Sequence, residues 1–165
     1  KKDPSYRDYT DVIDEVWFFF DVEIKDIAKW DRRYRTINWL RKLRKDKEIR
    51  VRLLMTTGCI EYWFMLHRKF YMPSLQTVAE KEKVIAELKV EEPLYEKGNR
   101  GITSKIARDY PVAVTNARRT VEKLLAEGLP GLEDTDERNR WLQRKCLTFS
   151  NVYEAIEFLE SLEKL

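Results

Sequence analysis

Glycine is scarce, and its scarcity excludes a common class of function. The five glycines among 165 residues form no GxGxxG and no GxxxxGK pattern, so no loop of the phosphate-cradling kind is present. Histidine occurs once, at His67, and the two cysteines, Cys59 and Cys146, stand far apart without ligand spacing around them. That excludes a recognisable zinc motif and suits two reduced thiols in an intracellular protein. Neither a metal nor a cofactor is expected, and enzymatic work is not. A long hydrophobic run is lacking too. The most apolar stretch, Val51 to Met72, is interrupted by Arg52, Thr56, Thr57, Glu61, His67, Arg68 and Lys69, which lipid would tolerate poorly. No signal peptide is visible, so the expectation is a cytoplasmic protein with no membrane partner.

Charge is abundant but nearly cancels. Charged residues make up 37% of the chain, 32 basic against 29 acidic, so only their distribution can be informative. From Lys29 to Arg52 there are eleven Lys or Arg against three acids. This stretch either grips a nucleic-acid backbone or neutralises acidic helices of the chain itself, such as its Glu-rich tail. Apolar residues reach 43%, enough for a core. Five Trp, eight Tyr and seven Phe imply aromatic packing or an interface buried between copies.

The apolar spacing between Thr10 and Trp30 is helical, with too much of the circumference apolar for a helix wet on one side. Trp30, Tyr34, Ile37, Leu40 and Leu43 predict an amphipathic helix, and Val51 to Met72 a buried one ending before Pro73. Thr77 and Glu80 form a capping box for the next helix, which buries Leu75, Val78, Ile85 and Leu88. "LPGLEDTDERNRWLQRKCLT" has a strand-turn-strand look. Phe149 to Leu165 closes the chain as a helix. The expected division is residues 1–73 as a helical region, 74–148 as a second unit and 149–165 as a terminal helix.

Residues 101–129 read as two helices hinged at Pro111. Thr103 or Ser104 caps the first, and Gly128 ends the second. Ala117, Val121, Leu124 and Leu125 face inward, leaving Thr115, Arg118 and Arg119 outside. Ile106-Ala107, Tyr110, Val112-Ala113 and Gly128-Leu129, then Asp136-Glu137-Arg138 and Leu147-Thr148, resemble the winged helix-turn-helix of the MarR family of transcription regulators. The likeness covers about residues 75–148.

That resemblance implies a mainly α fold with a small β-hairpin wing, preceded by an extended helical dimerisation region. It implies a homodimeric, sequence-specific regulator of double-stranded DNA, with one helix in the major groove and the wing in the minor groove. Thr115, Asn116, Arg118 and Arg119 would read bases, and Arg138 would enter the minor groove. Thr103, Ser104 and Lys105 would clamp phosphates, with Arg140 adding attraction. Many relatives bind a small aromatic effector, for which Trp63, His67 and Tyr71 are the candidate lining. Glu133, Asp134, Asp136 and Glu137 in the wing favour the alternative, a winged-helix protein-interaction adaptor without DNA binding.

Overall fold

The run Val16-Trp17-Phe18-Phe19-Phe20 decides the first element. Aromatic and β-branched side chains lose freedom against a helical turn but pack well on a pleated surface. The computed structural model, which describes residues 13–43, 48–145 and 147–163, accordingly has strand β1 at Glu15–Val22 in place of the expected helix. Thr10 to Val12, where that helix was to begin, lie outside the described residues. A short 3₁₀ turn, Ile24–Lys29, leads into α1, Trp30–Arg41, which buries Trp30, Tyr34 and Ile37 as the spacing predicts.

Strand β2, Arg50–Thr57, replaces the first part of the second expected helix. It pairs parallel with β1, from Glu15 opposite Arg50 to Val22 opposite Thr57. β1, α1 and β2 thus form a β-α-β unit, where an all-helical dimerisation region was expected. A short continuous apolar run is ambiguous between a buried strand and a buried helix. Gly58 settles the ambiguity, because its φ of 73° ends the strand in the left-handed region. The remaining apolar residues form α2, Ile60–Leu66.

The rest is helical: α3 Val78–Glu91, α4 Arg100–Ala107, α5 Tyr110–Ala126, α6 Asp136–Lys145 and α7 Tyr153–Leu162. The Thr77–Glu80 capping box opens α3 as expected. α6 stands where the hairpin wing was expected. Its residues are mostly good helix formers, and Thr135 Oγ1 accepts a bond from the Arg138 amide at its start. Among the described residues the sheet is two-stranded and contains no hairpin.

The core is one cluster running from Val22 to Tyr153, with α2 packed between α3 and α5. The far edge of β2 is finished by a side chain. Asn151 donates from Nδ2 to the Leu53 carbonyl at 2.9 Å, and its Oδ1 accepts the Met55 amide. Its own amide returns to the Met55 carbonyl at 3.1 Å. Asn151 therefore does the work of a missing strand. Asn151→Ala would leave a buried amide and a buried carbonyl unpaired, at about 1–3 kcal/mol each. The expected result is a melting temperature lower by roughly 4–24 °C in a calorimetric scan.

His67 is buried, with Nδ1 3.0 Å from the Trp63 carbonyl. Burial holds its pKa below the ordinary value; the Trp63 carbonyl opposes this and the charge of Arg68 adds to it. The folded chain therefore keeps a neutral ring while the unfolded chain takes up a proton below about pH 6.5. Stability from this group is complete above that pH and is lost as the pH falls through it. Urea melts between about pH 7 and 5 should give unfolding free energies that fall with acid, by up to about 1.4 kcal/mol per pH unit. A His67→Gln variant should flatten that slope.

Candidate active site at the carboxyl ends of the strands

In open parallel sheets, ligands collect beyond the carboxyl ends of the strands. Here those ends carry acid. β1 finishes at Asp21 and Val22, and Glu23 follows at once. β2 finishes at Thr57, and the Gly58 amide bonds back to the Val22 carbonyl at 2.9 Å. Cys59 is extended and α2 starts one residue later, so Glu61 falls in its first turn beside the end of β1. A Cβ on Gly58 would stand 3.1 Å from the Leu75 Cβ and 3.3 Å from its carbonyl oxygen. The turn that brings Glu61 to Asp21 thus depends on glycine twice, for its φ and for its closeness to Leu75.

Glu61 is only 1% exposed. Its Oε1 accepts the Tyr95 hydroxyl at 3.0 Å and lies 3.8 Å from the Lys97 Nζ. The Cys59 thiol also hydrogen-bonds this carboxyl group, while its buried Oε2 has no nitrogen or oxygen partner. Asp21 reaches the surface as a residue, yet its carboxyl pKa is pushed up. Burial by the protein around it is the largest cause, followed by the charges of Glu61 and Glu23. Glu23 behaves oppositely. Lys25, at 2.6 Å, and Lys81 of α3, at 2.9 Å, hold its pKa below the ordinary value. Burial, then the charge of Glu61, raises the Cys59 thiol to about 11, so it is no thiolate nucleophile.

The arrangement is electrostatically unfinished. Asp21 and Glu61 repel one another, one Glu61 oxygen is buried without a nitrogen or oxygen partner, and Lys97 is largely solvent-exposed. A buried carboxylate left this way is costly unless something positive joins it. Among the described residues no three His, Cys, Asp or Glu side chains gather as a closed metal cage. Magnesium does not need one, because it is commonly held by one or two carboxylates with water and substrate phosphates completing the shell.

The sequence-predicted residues are not brought together with this group. Asn99, rather than Thr103 or Ser104, caps α4: its Oδ1 accepts the Ile102 amide at 3.3 Å. Thr103 bonds the Asn99 carbonyl, Ser104 is exposed, and Lys105 reaches Glu92 at 3.4 Å. On α5, Thr115 is exposed and bonds the Pro111 carbonyl, whereas Asn116 is buried and donates to the Leu66 carbonyl at 2.8 Å. Helical phase turns Asn116 into the core. Arg118 and Arg119 do point outward, but Arg118 pairs with Glu157 of α7 at 2.5 Å and Arg119 lies over the Phe70 ring.

Arg138 is 2% exposed, gripped by Glu154, Asp134, Asn139 and the Leu132 carbonyl. Its segment is helical, so it sits at no wing tip. Arg140 pairs with Asp31 and covers the Tyr34 ring at 4.0 Å. Trp63 and His67 pack edge to face in the core, and Tyr71, partly buried, lies under the Lys69 ammonium. Cys59 is a free thiol, and Cys146 lies outside the described residues. No helix of the described residues is long and apolar enough to cross a membrane.

Sequence reasoning missed Asp21, Glu23, Glu61, Tyr95 and Lys97. The available signals were an acid pair closing an aromatic run and one acid inside an otherwise apolar stretch. A family described as "RloB-like protein" matches over residues 2–159. The chain belongs to the RloB-like family. The MarR resemblance is thereby corrected, since the family match covers nearly the whole RloB-like chain and no MarR match accompanies it. What the elbow shared with that family is the spacing of two amphipathic helices closed by Gly-Leu, which ordinary helix packing also produces. Neither a curated protein nor a solved structure matches the RloB-like chain.

Proposed function

We propose that this RloB-like chain carries a divalent-cation-dependent phosphoryl-transfer centre acting on the phosphodiester backbone of nucleic acid. One observation carries the reading: Glu61 of α2, buried and with one oxygen lacking a nitrogen or oxygen partner, lies close enough to Asp21 at the carboxyl end of β1 for its charge to raise the Asp21 pKa. Asp21 and Glu61 would hold a divalent cation, whose charge would relieve their mutual repulsion. Bound there, it would supply a Lewis acid and an activated water for phosphodiester hydrolysis, in which the bond from phosphorus to one ester oxygen is exchanged for a bond to the water oxygen and the departing oxygen takes a proton. Lys97, beside Glu61, and Lys81, beside Glu23, would counter the phosphate's charge. The basic excess of residues 29–52 supports a polyanionic substrate.

The regulator reading, duplex DNA held by α4 and α5, has less support. Arg118 and Arg119 are exposed, yet both are engaged on the molecule, and the acidic face of α7 lies beside them. Incubating labelled single-stranded and duplex oligonucleotides with Mg²⁺, Mn²⁺ or EDTA separates the readings. Cation-dependent cleavage, absent in EDTA, is expected; intact strands under every condition would contradict the proposal.

A further inference from the structure

We propose that the outward face of α1 is a platform for single-stranded nucleic acid. The Trp39 indole stacks on a base while Arg32, Arg35 and Lys42 hold flanking phosphates. This rests on the proposed function for its nucleic-acid substrate and names the kind of strand that is bound.

Positions 32, 35, 39 and 42 follow one another at spacings of three and four, so they share one stripe of α1 and its carboxyl end. Trp30, Tyr34 and Ile37 occupy the opposite side and are buried. Trp39 is 58% exposed, although burying an indole is among the larger apolar gains open to a chain. The ring makes no aromatic or cation contact among the described residues, unlike Trp30, which carries Arg33 over its face.

The basic residues divide in the same way. Arg33, Arg41 and Arg140 are engaged internally, with Asp26, Asp136 and Asp31. Arg32, Arg35 and Lys42 pair with no acid among the described residues. An unused ring framed by unused cations is the pattern that binds single strands, where every base offers a face and every phosphate a charge. A duplex keeps its bases stacked and offers Trp39 nothing to lie on. A membrane-surface helix needs a broad free apolar face, and that of α1 is already spent on the core.

The test is fluorescence anisotropy with a labelled oligothymidylate of about 15 nucleotides and a duplex of equal length, in EDTA, at about 50 and 200 mM salt. Without a cation, binding and catalysis fail separately: loss of this platform leaves the carboxylate centre untouched, and the reverse. Tighter binding to the single strand is expected, weakening with salt. Trp39→Ala should loosen it about tenfold or more, and Trp39→Phe should keep most of it. The Arg32→Gln, Arg35→Gln pair should lower the salt slope by about 1.4. Equal affinity for the duplex, or an unchanged Trp39→Ala protein, would overturn the proposal. So would vesicles of phosphatidylserine that bind the wild type more tightly than the oligonucleotide does. Because Trp39 faces solvent, a Trp39→Ala melt matching the wild type assigns any loss to binding.

Discussion

Glu61→Gln is expected to remove cation-dependent strand cleavage while leaving the metal-free protein as stable as before, or more so. The side chain is buried and one oxygen has no nitrogen or oxygen partner, which is a cost that folding carries for the site. Replacing it with a neutral amide of the same shape removes the repulsion with Asp21. The melting temperature of the metal-free variant should rise by about 2–6 °C, corresponding to roughly 1–2 kcal/mol. Activity should fall by at least about a hundredfold, since even groups that merely orient a metal ligand cost up to that much when removed. Asp21→Asn should lose activity comparably with little change in stability, because Asp21 lies at the surface. A purely structural Glu61, held for its Tyr95 bond, would show the reverse: a lower melting temperature and intact activity.

Arg138→Ala should be the most destabilising single change in the carboxyl-terminal half. The guanidinium meets both oxygens of Glu154, reaches Asp134 at 3.3 Å and donates to the Leu132 carbonyl. Glu154 already has a raised pKa because burial outweighs the help of Arg138. Without the arginine, two carboxylates would remain close together and largely dry. Removing one partner of a buried ion pair costs about 3–5 kcal/mol, which for a chain of this size lowers the melting temperature by about 6–20 °C. Arg138→Lys should recover only part, because an ammonium lacks the planar fork that engages Glu154 through two nitrogens. A surface arginine kept for DNA would give an Ala variant with an unchanged melt.

The helices were legible where their signals were local. Thr77 and Glu80 announce the start of α3, and Trp30, Tyr34 and Ile37 mark the buried side of α1. Gly128 ends α5 with a φ of 99°, as a left-handed cap should. The strands were not legible, because Val16 to Phe20 and Leu53 to Met55 are continuous apolar runs without the alternation that marks a half-buried strand. The candidate site was hidden for a different reason. Asp21 and Glu61 are forty positions apart, and neither belongs to a motif. Parallel pairing and the turn at Gly58 bring them together, and both are tertiary facts. Arg138 shows the converse error, since an arginine among acids reads as a surface loop until α6 folds it inward against Glu154.

Electron paramagnetic resonance titration of Mn²⁺ tests the carboxylate centre most directly, because it counts bound ions without any substrate. The wild-type protein should bind Mn²⁺ at a site that Mg²⁺ competes for, and both Glu61→Gln and Asp21→Asn should lose it. Binding of equal strength in the Glu61→Gln protein, or none in the wild type, would contradict the assignment.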